Sequence, residues 1–462
     1  MKYEKQIENI IDTQVLVIGG GPAGSAAAIA AARGGAKALL IERAGILGGM
    51  ATSGLVGPFM TCYNSHGTKQ IIKGLFEEMV TRAEDLGGAI HPSKVDAYSP
   101  YTSFIGFAHK HVTPFNSDIL QVVLDDMACS AGVEVLCYTQ FIDCFMEDER
   151  IAGVVVANKS GLSAIRAQVV IDATGDADVA VCAGVKTVFG DVEAGYVQPV
   201  TLFFEVDGID TDRLRTAAKR IEAKPQETRD GLFKFPIGAL AEYVGRAREN
   251  GDWNLIKSDC NIYQTNKTGR YKVNTTRVVD VDATDAQRLT SAHIDAKKQA
   301  LEILYCMKKY IPGCENAELV QLAGAMGVRE TRHIDGKYTL AMEDVVSGRR
   351  FEDDIALCGY VLDIHPNKKD CTDGGSMLVD DYYGIPYRTL LPNGCTNLLV
   401  TGRCISATSR AASTLRIMPC CMALGEAAGT AGALAVKDDL LPQQVDADKL
   451  RAALIAQNAV VD

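Results

Sequence analysis

The amino-acid sequence predicts an α/β protein made of a discontinuous nucleotide-binding domain and a second, α+β domain. Three observations lead there. Residues 15–43 read as strand, glycine turn, helix and strand. A further apolar strand, 167–172, runs into Ala-Thr-Gly-Asp. After a more charged and irregular region from about 200 to 380, apolar text rich in Gly and Ala returns at 397–402 and 418–436. Strands that alternate with helices indicate a parallel sheet. The return places residues 1–60, 110–198 and 381–462 in the nucleotide domain, and 61–109 and 199–380 in a substrate, or cap, domain.

Each element has its reason. Val-Leu-Val-Ile at 15–18 is a short strand, followed by the G-x-G-x-x-G spacing of Gly19, Gly21 and Gly24. Residues 22–33 are Ala-rich and helical, and a second strand at 38–41 ends on Glu42. Gly19 permits a tight turn, Gly21 leaves the backbone bare for a pyrophosphate, and Gly24 lets the helix approach the strand. The helix start offers free N–H groups and a positive dipole end to phosphates. Glu42 is placed to accept from a ribose 2′-hydroxyl and would repel a 2′-phosphate. This Rossmann-like unit does not by itself separate FAD from NAD. Residues 44–58 follow with five glycines and no charge, which predicts a buried loop against something flat and apolar.

Helices are expected at 73–86 and at 116–129, where Ile119, Leu120, Val123, Leu124 and Met127 share a face. Strands are expected at 133–138, 139–146, 151–158 and 199–206, and helices at 210–219, 239–249 and 284–309. The A-T-G after residue 172 turns the backbone beside a nucleotide, or is an ordinary turn with Asp176 as a helix cap. Pro419 suits the first turn of a closing helix whose Ala and Gly let neighbouring backbone come close.

The net charge of −11 argues against a sequence-independent nucleic-acid surface and, more weakly, against anionic membranes. The apolar stretches look too interrupted for a membrane span, and the polar start has no signal-peptide core. A soluble, cytoplasmic protein is expected. The 14 cysteines form no C-x-x-C pair. Cys129, Cys137, Cys182 and Cys306 stand in apolar contexts, as buried reduced thiols do. No dithiol relay, metal site or iron–sulfur spacing is expected.

The densest chemistry lies in GVRETRHIDGKY at 327–338. A strand there would put Arg329 and Thr331 on one face and Glu330 and Arg332 on the other. The arginines could clamp a substrate carboxylate and His333 could carry a proton; ion pairing with Glu330 and Asp335 would serve equally. Tyr383, Tyr387 and Arg388 form a second cluster, whose tyrosines also suit packing at a domain boundary.

GGGPAGSAAAIAAARGG, LGGMATSGLV, VIDATGDADVA, GVRETRHIDGKYTL, IPYRTLLPNGCTNLLVTGRCISAT and RIMPCCMALGEAAGTAGALA together resemble the FAD-dependent oxidoreductase family of bacterial flavoproteins, over about residues 12–440. That family shares the glutathione-reductase-like fold with two dinucleotide-binding domains. The resemblance implies FAD. By motif, Gly19, Gly21, Pro22, Ala23 and Gly24 would face the pyrophosphate, Glu42 the adenosine ribose and Arg43 the adenine end. Gly48, Gly49, Met50 and Ala51 would line the region from pyrophosphate to flavin, and Val135 would pair backbone with adenine. Ala173, Thr174 and Gly175 would cover the dinucleotide. Gly402 and Arg403 would approach the ribityl chain, and Ile417 and Met418 the flavin pyrimidine. Arg416, at a positive helix end, would favour negative charge on the flavin N1–C2=O locus. Ser409-Arg410-Ala411-Ala412 stands where many relatives carry a His-Glu type pair; if that pair touches substrate, the resemblance implies a different substrate here.

The function implied is hydride transfer between a small organic substrate and flavin N5, with Arg329, Arg332, His333 and Arg416 as candidate catalytic residues. The alternatives are a flavin monooxygenase and a flavin- or NAD-binding non-redox relative, thiazole-synthase-like or an electron-transfer subunit. NAD(P)H, a redox-partner protein or a second copy of the chain are the compatible partners.

Overall fold

The computed structural model describes residues 6–106, 109–219, 226–227, 233–234, 238–365, 375–376, 379 and 381–462. Its centre is a five-stranded parallel sheet in the order Leu398–Val400, Val169–Asp172, Val15–Ile18, Ala38–Ile41, Glu134–Leu136. The first four strands are buried along their whole length, as a parallel sheet covered on both faces requires. Register decides where a ligand can sit. Ile18 pairs with both Ile41 and Asp172, Asp172 with Val400, and Ile41 with Leu136. The strands therefore end level, and the loops that begin at Gly19, Glu42, Ala173 and Thr401 leave at one edge. Ligands of such sheets bind beyond the carboxyl ends.

Two helices lie together on the sheet, Pro22–Arg33 and Met418–Lys437. Glycine sets their separation. A Cβ on Gly425 would fall 2.0 Å from the Ala23 carbonyl oxygen, and one on Gly429 would fall 2.0 Å from that of Ala27. Ala23 is the second residue of its helix and Gly425 the eighth of the other. The two run in the same direction, and the later helix starts about six residues, roughly 9 Å, ahead. It is also long and apolar enough to cross a membrane, against the sequence expectation, yet 83% of its apolar window is buried inside the protein. Its glycines, taken as interruptions, are contact surface.

The second domain has a four-stranded antiparallel sheet in the order Ile262–Gln264, Tyr271–Val273, Phe204–Asp207, Glu318–Leu322. The helix Ala286–Tyr310 packs on it through Ala300, Ile303 and Met307. The strand expected at 199–206 is regular only at Phe204–Asp207, because Val200 and Thr201 bridge instead to Val278 and Gly327. Leu55, Val200, Leu202, Phe203, Ala323 and Met326 form a separate core between the two bodies. Leu75, Phe76, Met79 and Val80, expected with the second domain, share a core with the two sheet-covering helices, as do residues 355–358. The helix Leu75–Asp85 is amphipathic and docks on Ser117–Ala131 and Met418–Lys437. Two expectations for the thiols also change: Cys129 is exposed, and Cys137 and Cys182 are half-buried.

Candidate active site

The glycine turn is built from contacts that leave no room for side chains, except at one place. Gly19 has φ +100° and packs against the Ala173 carbonyl, and a Cβ on Gly24 would meet the Gly19 oxygen at 1.7 Å. Gly21 differs: a Cβ there would meet nothing within 4 Å, and its backbone is extended. The helix behind it has no side-chain cap and no acid in its first turn. Open space therefore lies before a bare, positive helix end. Glu42 accepts from Gly20 N at 2.6 Å and Ala44 N at 2.7 Å, which holds it at the end of its strand. Gly48 N donates to Gly20 O, and Gly49 packs on Gly21. The loop through Met50 and Ala51 thus folds over the turn. Val135 lies within the edge strand Glu134–Leu136, opposite Leu40; Arg43 is exposed.

The next strand end is braced by Asp172. Its buried carboxylate accepts from Thr174 N and Oγ1 and from Val179 N and Ala180 N. Burial pushes its pKa up to about 6 against those hydrogen bonds. Asp172, not Asp176, thus ties down the helix Asp178–Cys182. Asp176 instead takes Arg403 Nη2 at 2.7 Å and Thr331 Oγ1 at 2.6 Å. The Arg403 guanidinium lies against Gly175, with its Nε buried and unpartnered. Gly402, at φ +88°, sits beside Ala23.

A second constellation starts at Arg416, one residue before Ile417, the uncapped N-cap of the helix Met418–Lys437. Arg416 Nη2 donates to Asp363 O at 2.8 Å and lies 3.5 Å from Asp363 Oδ2; its Nη1 is buried without a partner. His365 Nε2 lies 3.2 Å from Asp363 Oδ2, and its Nδ1 lies 3.2 Å from Arg277 Nη2. Burial pushes the imidazole down to about 3 despite Asp363. A neutral imidazole that donates from Nε2 and accepts at Nδ1 satisfies both neighbours. Burial alone would raise Asp363, but His365, Arg416 and Arg329 hold it well below the carboxylate range.

Arg329 Nη1 donates to Pro199 O at 2.7 Å and Thr201 Oγ1 at 2.6 Å. Burial, then Arg416, then Arg277, work against its positive charge. Beside it, Lys257 donates to Asn274 O at 2.7 Å, and burial and Arg277 push its pKa down to about 7. With its amide turned to satisfy both sides, Asn261 accepts from Lys257 and donates to Asp259. Tyr263 and Tyr360 complete the surroundings. The side chains of Arg416, His365 and Asp363 keep 11%, 22% and 33% of their surface accessible, so they wall a recess that solvent reaches. Ser53 O accepts from Ala325 N, which ties the segment leading to Arg329 onto the glycine-rich loop.

Of the four candidate catalytic residues, two meet here: Arg329 and Arg416. The other two go elsewhere, because regular strand spans only Arg332–Ile334 and the expected alternation through 329 does not exist. Arg332 pairs with Asp178 at 3.3 Å, on the dinucleotide side where Arg43 also acts on Asp178. His333 is 3% exposed and meets Glu330 at 3.3 Å. Tyr383 bonds to Thr414, Tyr387 to Pro442 O and Arg388 to Asp353, so that cluster serves packing. Sequence reading missed Lys257, Arg277, Asp363 and His365; the two-residue spacing of Asp363 and His365 was the one local signal. Elsewhere, the ligand-type atoms of Asp143, Cys144 and Cys182 lie within 4.8 Å of one another. That trio shares no residue with the recess.

Among curated proteins, the thiamine thiazole synthase of Desulfosudis oleivorans is 32% identical over 198 residues, 41% of this chain and 65% of that protein. The thiamine thiazole synthase of Aeropyrum pernix is 29% identical over 184 residues, 37% of this chain and 58% of that protein. The chain thus spans less than two thirds of the length of either relative. Among solved structures, a geranylgeranyl bacteriochlorophyll reductase-like protein from Thermoplasma acidophilum aligns with TM-score 0.47 and 16% identity, covering 98% of this chain and 85% of that one. The family described as FAD dependent oxidoreductase matches residues 14–454, almost the whole chain, and to that family the protein belongs.

Proposed function

We propose that the protein transfers a hydride between a small organic substrate, bound in the Arg329–Arg416 recess, and N5 of FAD. The observation that carries this reading is the continuity of the two constellations. The bare glycine turn, the loop 48–51 and the ends of three strands open onto one edge, and the recess begins at Arg416, just ahead of an uncapped helix.

The residues present fit FAD. Gly21 leaves room where a pyrophosphate needs the backbone, and the helix behind it lacks any competing acid. Arg403 Nε and Arg416 Nη1 are buried donors without partners among the described residues, and a buried donor left unmade is costly. Gly19, Gly21, Pro22, Ala23 and Gly24 would hold the pyrophosphate, with Glu42 and Arg43 at the adenosine. Gly48, Gly49, Met50, Ala51, Ala173, Thr174 and Gly175 would flank the dinucleotide. Gly402, Arg403, Ile417 and Met418 would approach its flavin end. Bound FAD supplies a two-electron acceptor or donor.

The chain's own side chains supply binding and proton control. Arg416 is fixed by Asp363, and Arg329 by Pro199 O and Thr201. Lys257 is the described group in the recess whose proton is exchangeable near neutral pH. His365 is already neutral there, and His333 is committed to Glu330. A second reading, a thiazole-synthase-like protein, rests on the similarity to the curated relatives. Anaerobic substrate screening of the FAD-loaded protein separates them: stoichiometric bleaching of the flavin supports hydride transfer, and none with any small acid, alcohol or amine refutes it.

A further inference from the structure

The recess contains more positive charge than its described acids balance. Arg277, Arg329 and Arg416 face Asp363; Glu330, which pairs with His333 beside the recess, faces Arg416 alone of the three and is held below the carboxylate range, against burial, by His333, Ser409 and Arg416. Lys257 and Asp259 add one potential charge of each sign, bridged by Asn261. One guanidinium remains without a counter-charge among the described residues. An amine so placed could shed its proton, but a guanidinium cannot. An anionic ligand would supply the missing counter-charge.

The three arginines are also held for a purpose beyond pairing. Arg277 is oriented by the His365 Nδ1 lone pair, and His365 by Asp363. Arg416 Nη2 donates to the Asp363 backbone oxygen and lies 3.5 Å from its carboxylate, while Nη1 stays buried and unpartnered. Arg329 spends only Nη1 on described partners, two oxygens of residues 199 and 201. Arg416 Nη1 and the Nε–Nη2 edge of Arg329 thus have no partner among the described residues. Planar guanidinium edges match a carboxylate.

We propose that this recess selects its substrate by a carboxylate group: Arg329 and Arg416 bind the anion, and Asp363 and His365 act as positioning residues for Arg416 and Arg277. The proposal rests on the reading above that the recess is the substrate site, and it adds the substrate's chemical class.

The test uses the FAD-loaded protein. Propionate, malonate, succinate and benzoate are titrated beside propionamide, malonamide, succinamide and benzamide. Binding is read by the flavin difference spectrum and, independently, by calorimetry. At least one acid should bind saturably, and its amide at least tenfold more weakly. R329Q should weaken that acid by roughly tenfold to a hundredfold, the loss expected for a charge-assisted pair, with FAD content unchanged. R329K, which keeps the charge and loses the planar fork, should fall between and guards against a folding failure of R329Q. Amides that bind as well as acids, no acid that binds, or an R329Q protein that folds and keeps wild-type affinity would each overturn the proposal. A protein that takes up no FAD yet binds acids by calorimetry would sink the flavin reading and leave the carboxylate clamp standing.

Discussion

Replacing Gly429 by Ala tests whether close contact of the two sheet-covering helices is what the glycines provide. The new Cβ would lie 2.0 Å from the Ala27 carbonyl oxygen, against an ordinary contact of 3.4 Å or more. The helices would have to part by roughly 1.4 Å, and backbone cannot swing aside as a side chain can. Such overpacking costs about 1–3 kcal/mol, sometimes more. Gly432 is the control in the same helix, because a Cβ there meets only the methyls of Val15, Val169 and Ile171 at 3.6 Å. Ala gains up to about 1 kcal/mol of helix propensity at either place, so the difference between G429A and G432A isolates the packing cost. Urea unfolding of the FAD-free proteins should place G429A about 1–3 kcal/mol below G432A. G425A, whose clash is with Ala23 at the helix start, should in addition weaken FAD binding more than G429A does. A difference below about 1 kcal/mol between G429A and G432A would refute the reasoning.

G21A should leave the stability of the FAD-free protein unchanged, since its backbone is extended and its Cβ meets nothing, yet abolish tight FAD uptake in a fluorescence titration; G24A should destabilise the fold itself. Glu426 Oε2 accepts from Leu75 N, and burial raises its carboxyl to about 7. The folded protein thus holds that proton more tightly, and stability is lost as pH rises from the unfolded value near 4.5 to about 7. Unfolding at pH 4.5 and pH 8 should shift the difference between E426Q and wild type towards Gln by up to about 3 kcal/mol, and a difference independent of pH would contradict this. Lys257 faces Arg277, Asp259, Arg329 and Cys260; loss of its proton should weaken carboxylate binding as pH rises through about 7, and K257M should remove that dependence in calorimetry.

The nucleotide half was legible because its signals are local. Gly19, Gly21 and Gly24 do their work within six residues of chain, and Glu42 closes the same unit. The recess was legible only in part. Arg329 and Arg416 stood out as charge in motif-bearing text, but Lys257, Arg277 and Asp363 converge from distant segments with no shared spacing. Arg332 and His333 looked equivalent to Arg329 because strand alternation was assumed through a segment whose regular part is only three residues. The closing apolar helix Met418–Lys437 hides its length for a similar reason. In sequence, glycine reads as interruption; in the fold, Gly425 and Gly429 are where two helices meet. The helix at 75–85 went with the wrong neighbours because an amphipathic pattern says that a face is covered and not by what.

The most direct test of the account is the absorption spectrum of the purified protein before and after acid precipitation, with the released cofactor identified by mass. An oxidised-flavin spectrum with FAD in the supernatant is the predicted result. A colourless protein that takes up no added FAD but binds NAD would contradict it and favour an NAD-binding non-redox relative.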